Sequence, residues 1–248
     1  MTNDLTNESV VSSGLSQIER VVDTFVAPSK TFADIRRSTS WWLPFLLMVL
    51  FSGASGYVVD HKVGFDRVYE NSMRANARAE EAMSSLTPDQ RAKAMSRGAA
   101  GMKYTTYAFP VILIVVLLIY SLLLWASFNF GLGAETTFSQ VLAVSWYASL
   151  PYLLISLLGI LTVSFGGSPE SYDIRNPVGT NLGYYFPDSA PWLKAMLSSL
   201  DVVKIWSDVL QVIGMSIIAK KTIAQSAVIV GILWLLGTLM TVGAAAAF

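Results

Sequence analysis

Long stretches without a charged residue constrain this chain more than any other feature of its sequence. Four uncharged runs of 22, 31, 34 and 27 residues occupy positions 38–59, 104–134, 136–169 and 222–248. A helix needs about 20 predominantly apolar residues to cross the hydrocarbon core of a bilayer. Each run is therefore long enough to hold a membrane span, and the continuously apolar stretch 110–126 favours one most strongly.

A fifth segment, residues 200–219, has the length of a span but carries charges. Asp201, Lys204, Asp208 and Gln211 follow one another at intervals of three, four and three residues, which places them on one helical face. Ionisable groups at membrane depth usually face a bundle interior or water. We therefore predict a span whose polar face is the candidate functional site. The alternatives are an ion pair between Lys204 and Asp208 that merely allows insertion, and a helix that lies along the interface.

Composition excludes several classes of protein. Only 14% of the 248 residues are charged, against roughly 25% in an ordinary soluble domain. Seventeen basic and seventeen acidic residues leave no net charge, so nothing favours nucleic-acid binding. The chain has no cysteine and one histidine, His61, which excludes a thiolate site and a histidine-based metal cluster or triad within one chain. We expect no enzymatic activity, no metal ion and no cofactor.

Taken together, these runs predict an all-α, polytopic membrane helix bundle. Residues 1–17 are polar and lack periodicity, so we expect a disordered tail, followed by a single membrane domain over 18–248. An odd number of spans places the two chain ends on opposite sides of the membrane. The predicted spans are 41–59, 106–131, 138–165, 200–219 and 223–246.

Amphipathic helices are predicted outside the spans. Apolar residues at helical spacing between 16 and 38, beginning with Ile18 and Val22, suit helices that lie in the headgroup plane; a loosely packed soluble helix is the alternative. The connection 60–104 predicts two helices, 64–85 and 88–98. The second begins at Thr87 as N-cap and ends at Gly98. The loop 166–199 is expected to be ordered but irregular.

Proline and small residues mark particular places in the spans. Pro151 lies in the middle of the third span and predicts a kink near Tyr147 to Ser149, which serves either as a hinge or as a packing shape. Small residues let another helix approach closely, so we expect contacts with other membrane proteins or with a second copy, besides the lipid bilayer itself. These small residues are Ser52, Gly56, Gly231, Gly237 and Gly243.

Several ordered motifs resemble a known family. An amphipathic segment precedes a span that opens with Trp and Pro, a kinked third span and an Asn-rich loop motif follow, and a characteristic sequence opens the fourth span. The motifs are TFVAPSKTFADI (24–35), WWLP (41–44), WYASLPYLL (146–154), NPVGTNLG (176–183) and LDVVKIWSDVLQVIG (200–214). Over nearly the whole chain, this order resembles the Yip-one (Ypt-interacting protein) domain family, especially its prokaryotic branch.

The resemblance implies a five-span helical membrane protein with a cytosolic N-terminus and no catalytic residues. Eukaryotic relatives associate with Rab-type GTPases and act in vesicle traffic, whereas the role of prokaryotic relatives is unsettled. It also implies architectural roles, as helix starts, a kink and a loop turn, for nine positions. These are Pro28, Phe32, Pro44, Tyr147, Pro151, Asn176, Pro177, Asp201 and Trp206.

Two functional hypotheses follow. The first is a non-enzymatic scaffold, or a membrane-organising protein of trafficking type, in the bacterial cytoplasmic membrane with its N-terminus inside. The second is a small-solute permease or channel that uses the polar face of the fourth span. The orientation is contested, because the side that would be outside carries ten Lys and Arg residues against six on the other, and the positive-inside rule prefers the opposite topology. The sequence identifies no particular protein partner.

Overall fold

The fold is a bundle of helices. The computed structural model describes residues 14–166 and 168–247; the predicted disordered tail falls mostly outside them, and within them no strand is present. The helices are α1 (Gln17–Val26), α2 (Pro28–Ile35), α3 (Trp42–Lys62), α4 (Phe65–Arg74), α5 (Ala77–Ser84), α6 (Pro88–Tyr107), α7 (Phe109–Ala126), α8 (Phe138–Ala148), α9 (Tyr152–Phe165), α10 (Pro191–Ser199), α11 (Val202–Ala219) and α12 (Ile223–Ala247).

Five helical segments are long and apolar enough to cross a membrane. The first, fourth and fifth are α3, α11 and α12; the second joins α7 to a π-helical turn that ends at Gly131, and the third joins α8 to α9. The prediction of an all-α bundle with about five helices able to span a membrane is therefore confirmed, and by length and composition the charged segment that follows Asp201 is one of the five.

The third span is interrupted where Pro151 predicts a kink. α8 ends at Ala148 and α9 begins at Tyr152, because proline cannot donate the backbone hydrogen bond that would continue the helix. At this break the carbonyl of Ala148 accepts a hydrogen bond of 2.7 Å from the hydroxyl of Ser207 on α11. A side chain of the fourth span thus satisfies a carbonyl at the break in the third.

The helices between the first two spans differ in part from the prediction. The N-cap at Thr87 is present, with reciprocal hydrogen bonds to Gln90, but the expected stop at Gly98 is wrong, because α6 continues to Tyr107. A Cβ at position 98 would lie 2.0 Å from the ring of Tyr69, so this glycine makes room for a neighbouring helix. The predicted helix 64–85 is divided, and Asn76 caps its second half.

The long loop contains more regular structure than expected. A 3₁₀ turn covers Leu182–Tyr185, and the helix α10 covers Pro191–Ser199. Proline at the first position of a helix is favourable, since its missing N–H has no partner in the first turn. Pro191 was therefore the available signal for a helix that the sequence analysis missed.

The second N-terminal helix, α2, is packed into the bundle, whereas α1 leaves its apolar residues Ile18, Val22 and Val26 exposed. Phe32 and Ile35 of α2 are fully buried in the same apolar cluster as Val144 and Leu210. A Cβ at Gly214 of α11 would lie 2.9 Å from the ring of Phe32, so this glycine admits the phenylalanine. The expectations of helices in the headgroup plane and of a loosely packed soluble helix both fail for α2, because its apolar face is covered by protein.

Candidate functional site: the polar face of the fourth span

Asp201 closes the N-terminal end of α11. Its carboxylate accepts hydrogen bonds from the backbone N–H groups of Val203 (2.7 Å) and Lys204 (3.2 Å), as an N-cap does. The other carboxylate oxygen accepts from the hydroxyl of Thr180 at 2.6 Å and from the amide of Asn181 at 3.4 Å. Asp201 is only 8% exposed, so its acceptors are committed to the protein.

The loop motif NPVGTNLG supplies these partners. Asn181 donates to the side chain of Asn176 at 2.6 Å, and Asn176 donates back at 3.3 Å. The backbone N–H of Val202 donates to the carbonyl of Thr180 at 3.0 Å. We call Asn176, Thr180, Asn181 and Asp201 the loop latch, because they hold the long loop against the start of the fourth span. Of these four residues the sequence analysis selected Asn176 and Asp201 only, since nothing local reveals that Thr180 and Asn181 donate to a carboxylate about twenty residues later in the chain.

Lys204 and Asp208 form no ion pair among the described residues. The Nζ atom of Lys204 lies 5.9 Å from the ring centroid of Trp234 on α12, within the range of a cation–π interaction. The direct ion pair that the sequence analysis considered is therefore not formed in this structure, and Lys204 acts on the carboxylate of Asp208 only from a longer distance. The ammonium group of Lys204 thus lies near an aromatic ring, and it does not contact the carboxylate of Asp208 directly.

Asp208 and Gln211 lie in different surroundings. Asp208 lies in the wall of a groove of about 420 Å³ between α11 and α12, and we call this cavity the α11–α12 groove. Gln211 does not line it and is only 3% exposed, and its side-chain nitrogen has no hydrogen-bond partner in the described structure. The four polar residues of the predicted face therefore have four different surroundings. Asp201 belongs to the loop latch, and Lys204 lies near the ring of Trp234. Asp208 lines the groove, and Gln211 is buried in the bundle.

A buried ion pair that the sequence analysis missed joins the two N-terminal helices. The guanidinium of Arg20 on α1 is fully buried and lies 2.6 Å from the carboxylate of Asp34 on α2. It also donates to the carbonyl of Ser38 at 2.9 Å. Burial opposes ionisation of Asp34, but hydrogen bonds from Arg37 and Arg20 outweigh it and hold the pKa of this carboxyl below its ordinary value.

Tyr147 connects this pair to the third span. Its hydroxyl donates to the side chain of Gln17 at 2.8 Å and lies 3.3 Å from the carbonyl of Ser40. Gln17 is one turn from Arg20 on α1. Tyr147 therefore anchors the N-terminal helices at the break in the third span, next to Pro151.

The remaining motif positions also hold helices together. Pro28 is the first residue of α2, and Pro44 lies buried in the first turn of α3. The ring of Trp206 packs edge-on against Phe25 of α1 at 5.6 Å between ring centroids. In this structure Pro28 and Pro44 lie at helix starts, and Trp206 packs between two helices.

Comparison with known families identifies the chain. Residues 22–244, nearly the whole length, match the family described as Yip1 domain. The chain belongs to the Yip1 domain family. With its five apolar helices, it is a multi-pass integral membrane protein. Comparisons with curated proteins and with solved structures give no match.

This Yip1 domain contains a second cavity, of about 540 Å³, between α3, α6 and α9. Small and hydroxyl-bearing side chains such as Ser52, Gly56 and Ser156 line it, together with Pro177 of the loop motif, and no lining residue is charged. Gly56 packs against Thr106 of α6. Of the small residues predicted to bring another helix close, Gly56 therefore contacts a helix of the same chain, whereas Gly231, Gly237 and Gly243 are open. Of these two cavities, the α11–α12 groove is the one lined by a charged residue, Asp208.

Proposed function

We propose that this Yip1-family protein is a non-enzymatic scaffold that organises other membrane proteins, or the membrane itself, in a trafficking-type role. The main observation in support of this proposal is the exposed apolar face of α12. Leu235, Leu236, Leu239 and Met240 are all exposed along this helix, and a Cβ added at Gly243 would meet no atom within 4 Å. A long apolar helix that is covered on one side only offers its other side to lipid or to a partner helix.

Site-specific photo-crosslinking in intact membranes tests the scaffold. A photoreactive residue in place of Leu236 is expected to give discrete protein adducts, because this side chain projects from the uncovered face of the fifth span. Leu122 in the second span is the matched control, since the two leucines are 52% and 51% exposed but α7 contains no glycine. Adducts with lipid alone at Leu236, or the same protein adducts at Leu122, would contradict the proposal.

The permease alternative is tested separately. Asp201 is held in the loop latch and Gln211 is buried, so no observation favours a solute path along α11. Liposomes that contain the purified protein are expected to show no more solute flux than empty liposomes. A flux that Asp208→Asn abolishes would favour the permease over the scaffold.

We propose further that the N-terminus lies in the cytoplasm of a bacterial cell, as the family resemblance implies. The connection 60–104 is then extracytoplasmic. Because the chain has no cysteine, a membrane-impermeant thiol reagent reports single introduced cysteines. Ser85→Cys is expected to be labelled in intact cells, whereas Lys221→Cys, at the turn on the opposite side, is expected to be protected. The reverse pattern would overturn the orientation and agree with the count of basic residues.

A further inference from the structure

The α11–α12 groove has the form of a seat for a third helix. Ile205, Asp208, Val209 and Val212 line one wall, and their spacing of three, four and seven residues is the seam with which a helix contacts a neighbour. The opposite wall belongs to the antiparallel helix α12. Grooves between two helices accept a third by interdigitation of such side-chain rows.

Small residues on α12 allow a close approach. Ala227 and Gly231 both line the groove, and a Cβ added at Gly231 would meet no atom within 4 Å. In membranes, helix association depends on close backbone packing and on polar contacts between helices, because lipid chains are as apolar as the side chains they replace. The small residues of the groove allow close backbone packing, and Asp208 provides an acceptor for a polar contact with another helix.

The carboxylate of Asp208 is in direct contact with no cationic or hydrogen-bonding side chain in the described structure, although Lys204 attracts it from a longer distance. Asp208 lies seven residues after the N-cap Asp201, about 10 Å along the helix, and forms neither an ion pair nor a hydrogen bond with another described side chain. Lys204, one turn away, is directed to Trp234. An intramembrane carboxylate usually pairs with a basic group or faces water, and here it faces an apolar groove.

We propose that the α11–α12 groove binds a transmembrane helix of another membrane protein that places a lysine or arginine opposite Asp208. The inference rests on the proposed scaffold function and specifies the chemistry of the partner. A second copy of this chain fits less well, because the one basic residue within its predicted spans, Lys204, lies in the first turn of α11 and not at the depth of Asp208. A lipid amine fits less well too, since Asp208 lies below the start of the helix.

Synthetic transmembrane peptides test this pairing in liposomes. The probe is a leucine–alanine helix of about 20 residues with one lysine at the depth of Asp208, and the matched peptides carry leucine or glutamate there. Energy transfer to a fluorophore on Lys221→Cys reports binding. The wild-type protein is expected to bind the lysine peptide roughly tenfold more tightly than the leucine peptide, the effect of one good polar contact between membrane helices.

Variants separate charge from shape. Asp208→Asn is expected to remove the preference for lysine, and Asp208→Lys to transfer it to the glutamate peptide. Gly231→Leu is expected to weaken binding of the lysine and leucine peptides by filling the groove. Gly53→Leu is the control, because Gly53 on α3 is equally open but lies outside the groove.

Three results would overturn the groove assignment. They are equal binding of the lysine and leucine peptides, displacement of the lysine peptide by phosphatidylethanolamine, and energy transfer between two copies of the protein that Asp208→Asn abolishes. If one of these occurs while the protein adducts at Leu236 persist, the scaffold proposal stands without this partner. Loss of the Leu236 adducts would instead remove the scaffold proposal itself.

Discussion

Arg20→Ala is expected to lower the free energy of unfolding by about 3–5 kcal/mol, the usual cost of breaking a buried ion pair by removing one partner. The substitution removes the fully buried guanidinium that holds Asp34 of α2 and the carbonyl of Ser38. Thermal unfolding in nanodiscs measures the loss. Because the pair joins α1 to α2, limited proteolysis is expected to cut the N-terminal helices first.

Arg37→Ala is the matched control for this experiment. Arg37 also pairs with Asp34, at 2.8 Å, but its side chain is 54% exposed, so solvent screens the interaction and the effect is expected to be small. Equal destabilisation by Arg20→Ala and Arg37→Ala would contradict the importance of the buried pair.

The pH dependence of stability provides a second test of the ion pair between Arg20 and Asp34. The pKa of Asp34 is held below its ordinary value of 3.8. A carboxyl with a lowered folded-state pKa contributes stability that is fully present above the ordinary value and is lost as the pH falls through the folded-state pKa. Docking of α1 and α2 is therefore expected to be unchanged from neutral pH to about 4 and to weaken below it. Asp34→Asn is expected to remove this component of the acid dependence.

Asp201→Ala is expected to lower the free energy of unfolding by about 2–4 kcal/mol, because it removes an N-cap, the acceptor of the half-buried Thr180 hydroxyl and one of the two acceptors of the buried Asn181 amide. The loop should then detach from the start of the fourth span. Hydrogen exchange of residues 176–185, with the free energy of unfolding measured in parallel, reports both effects.

Asp188→Ala controls for loss of an acidic residue near this loop motif, since Asp188 is exposed in the same loop. Asp201→Asn is expected to be intermediate, as its carbonyl oxygen still caps the helix while its amide nitrogen cannot accept from Asn181. Unchanged exchange in Asp201→Ala would show that the loop latch does not hold the loop.

Local signals in the sequence correctly predicted those helix starts and breaks that depend only on neighbouring residues. The capping box at Thr87 and the break at Pro151 were both found, because each is decided within one turn of helix. Gly98 shows the limit of such reasoning. Its sequence context is that of a helix end, but the ring of Tyr69 occupies the space that a side chain would need, and the helix continues past it.

The polar face of the fourth span shows the same limit. Regular spacing placed Asp201, Lys204, Asp208 and Gln211 on one side of a helix, and the sequence contains no information on what faces each of them. The tertiary structure assigns Asp201 to the loop latch through Thr180 and Asn181, twenty-one and twenty residues away, and leaves Asp208 in a groove formed with α12.

The sequence by itself determined the all-α fold class and the presence of five helices long and apolar enough to span a membrane. Insertion of a helix depends on a continuous apolar length, and that length can be measured along one dimension of the chain. Only the tertiary structure decided that α2 is part of the core, that Arg20 pairs with Asp34, and that Asp208 faces a groove. Each of these depends on the packing of segments that are distant in sequence, and such packing is specified by side-chain shape and hydrogen-bond geometry in three dimensions.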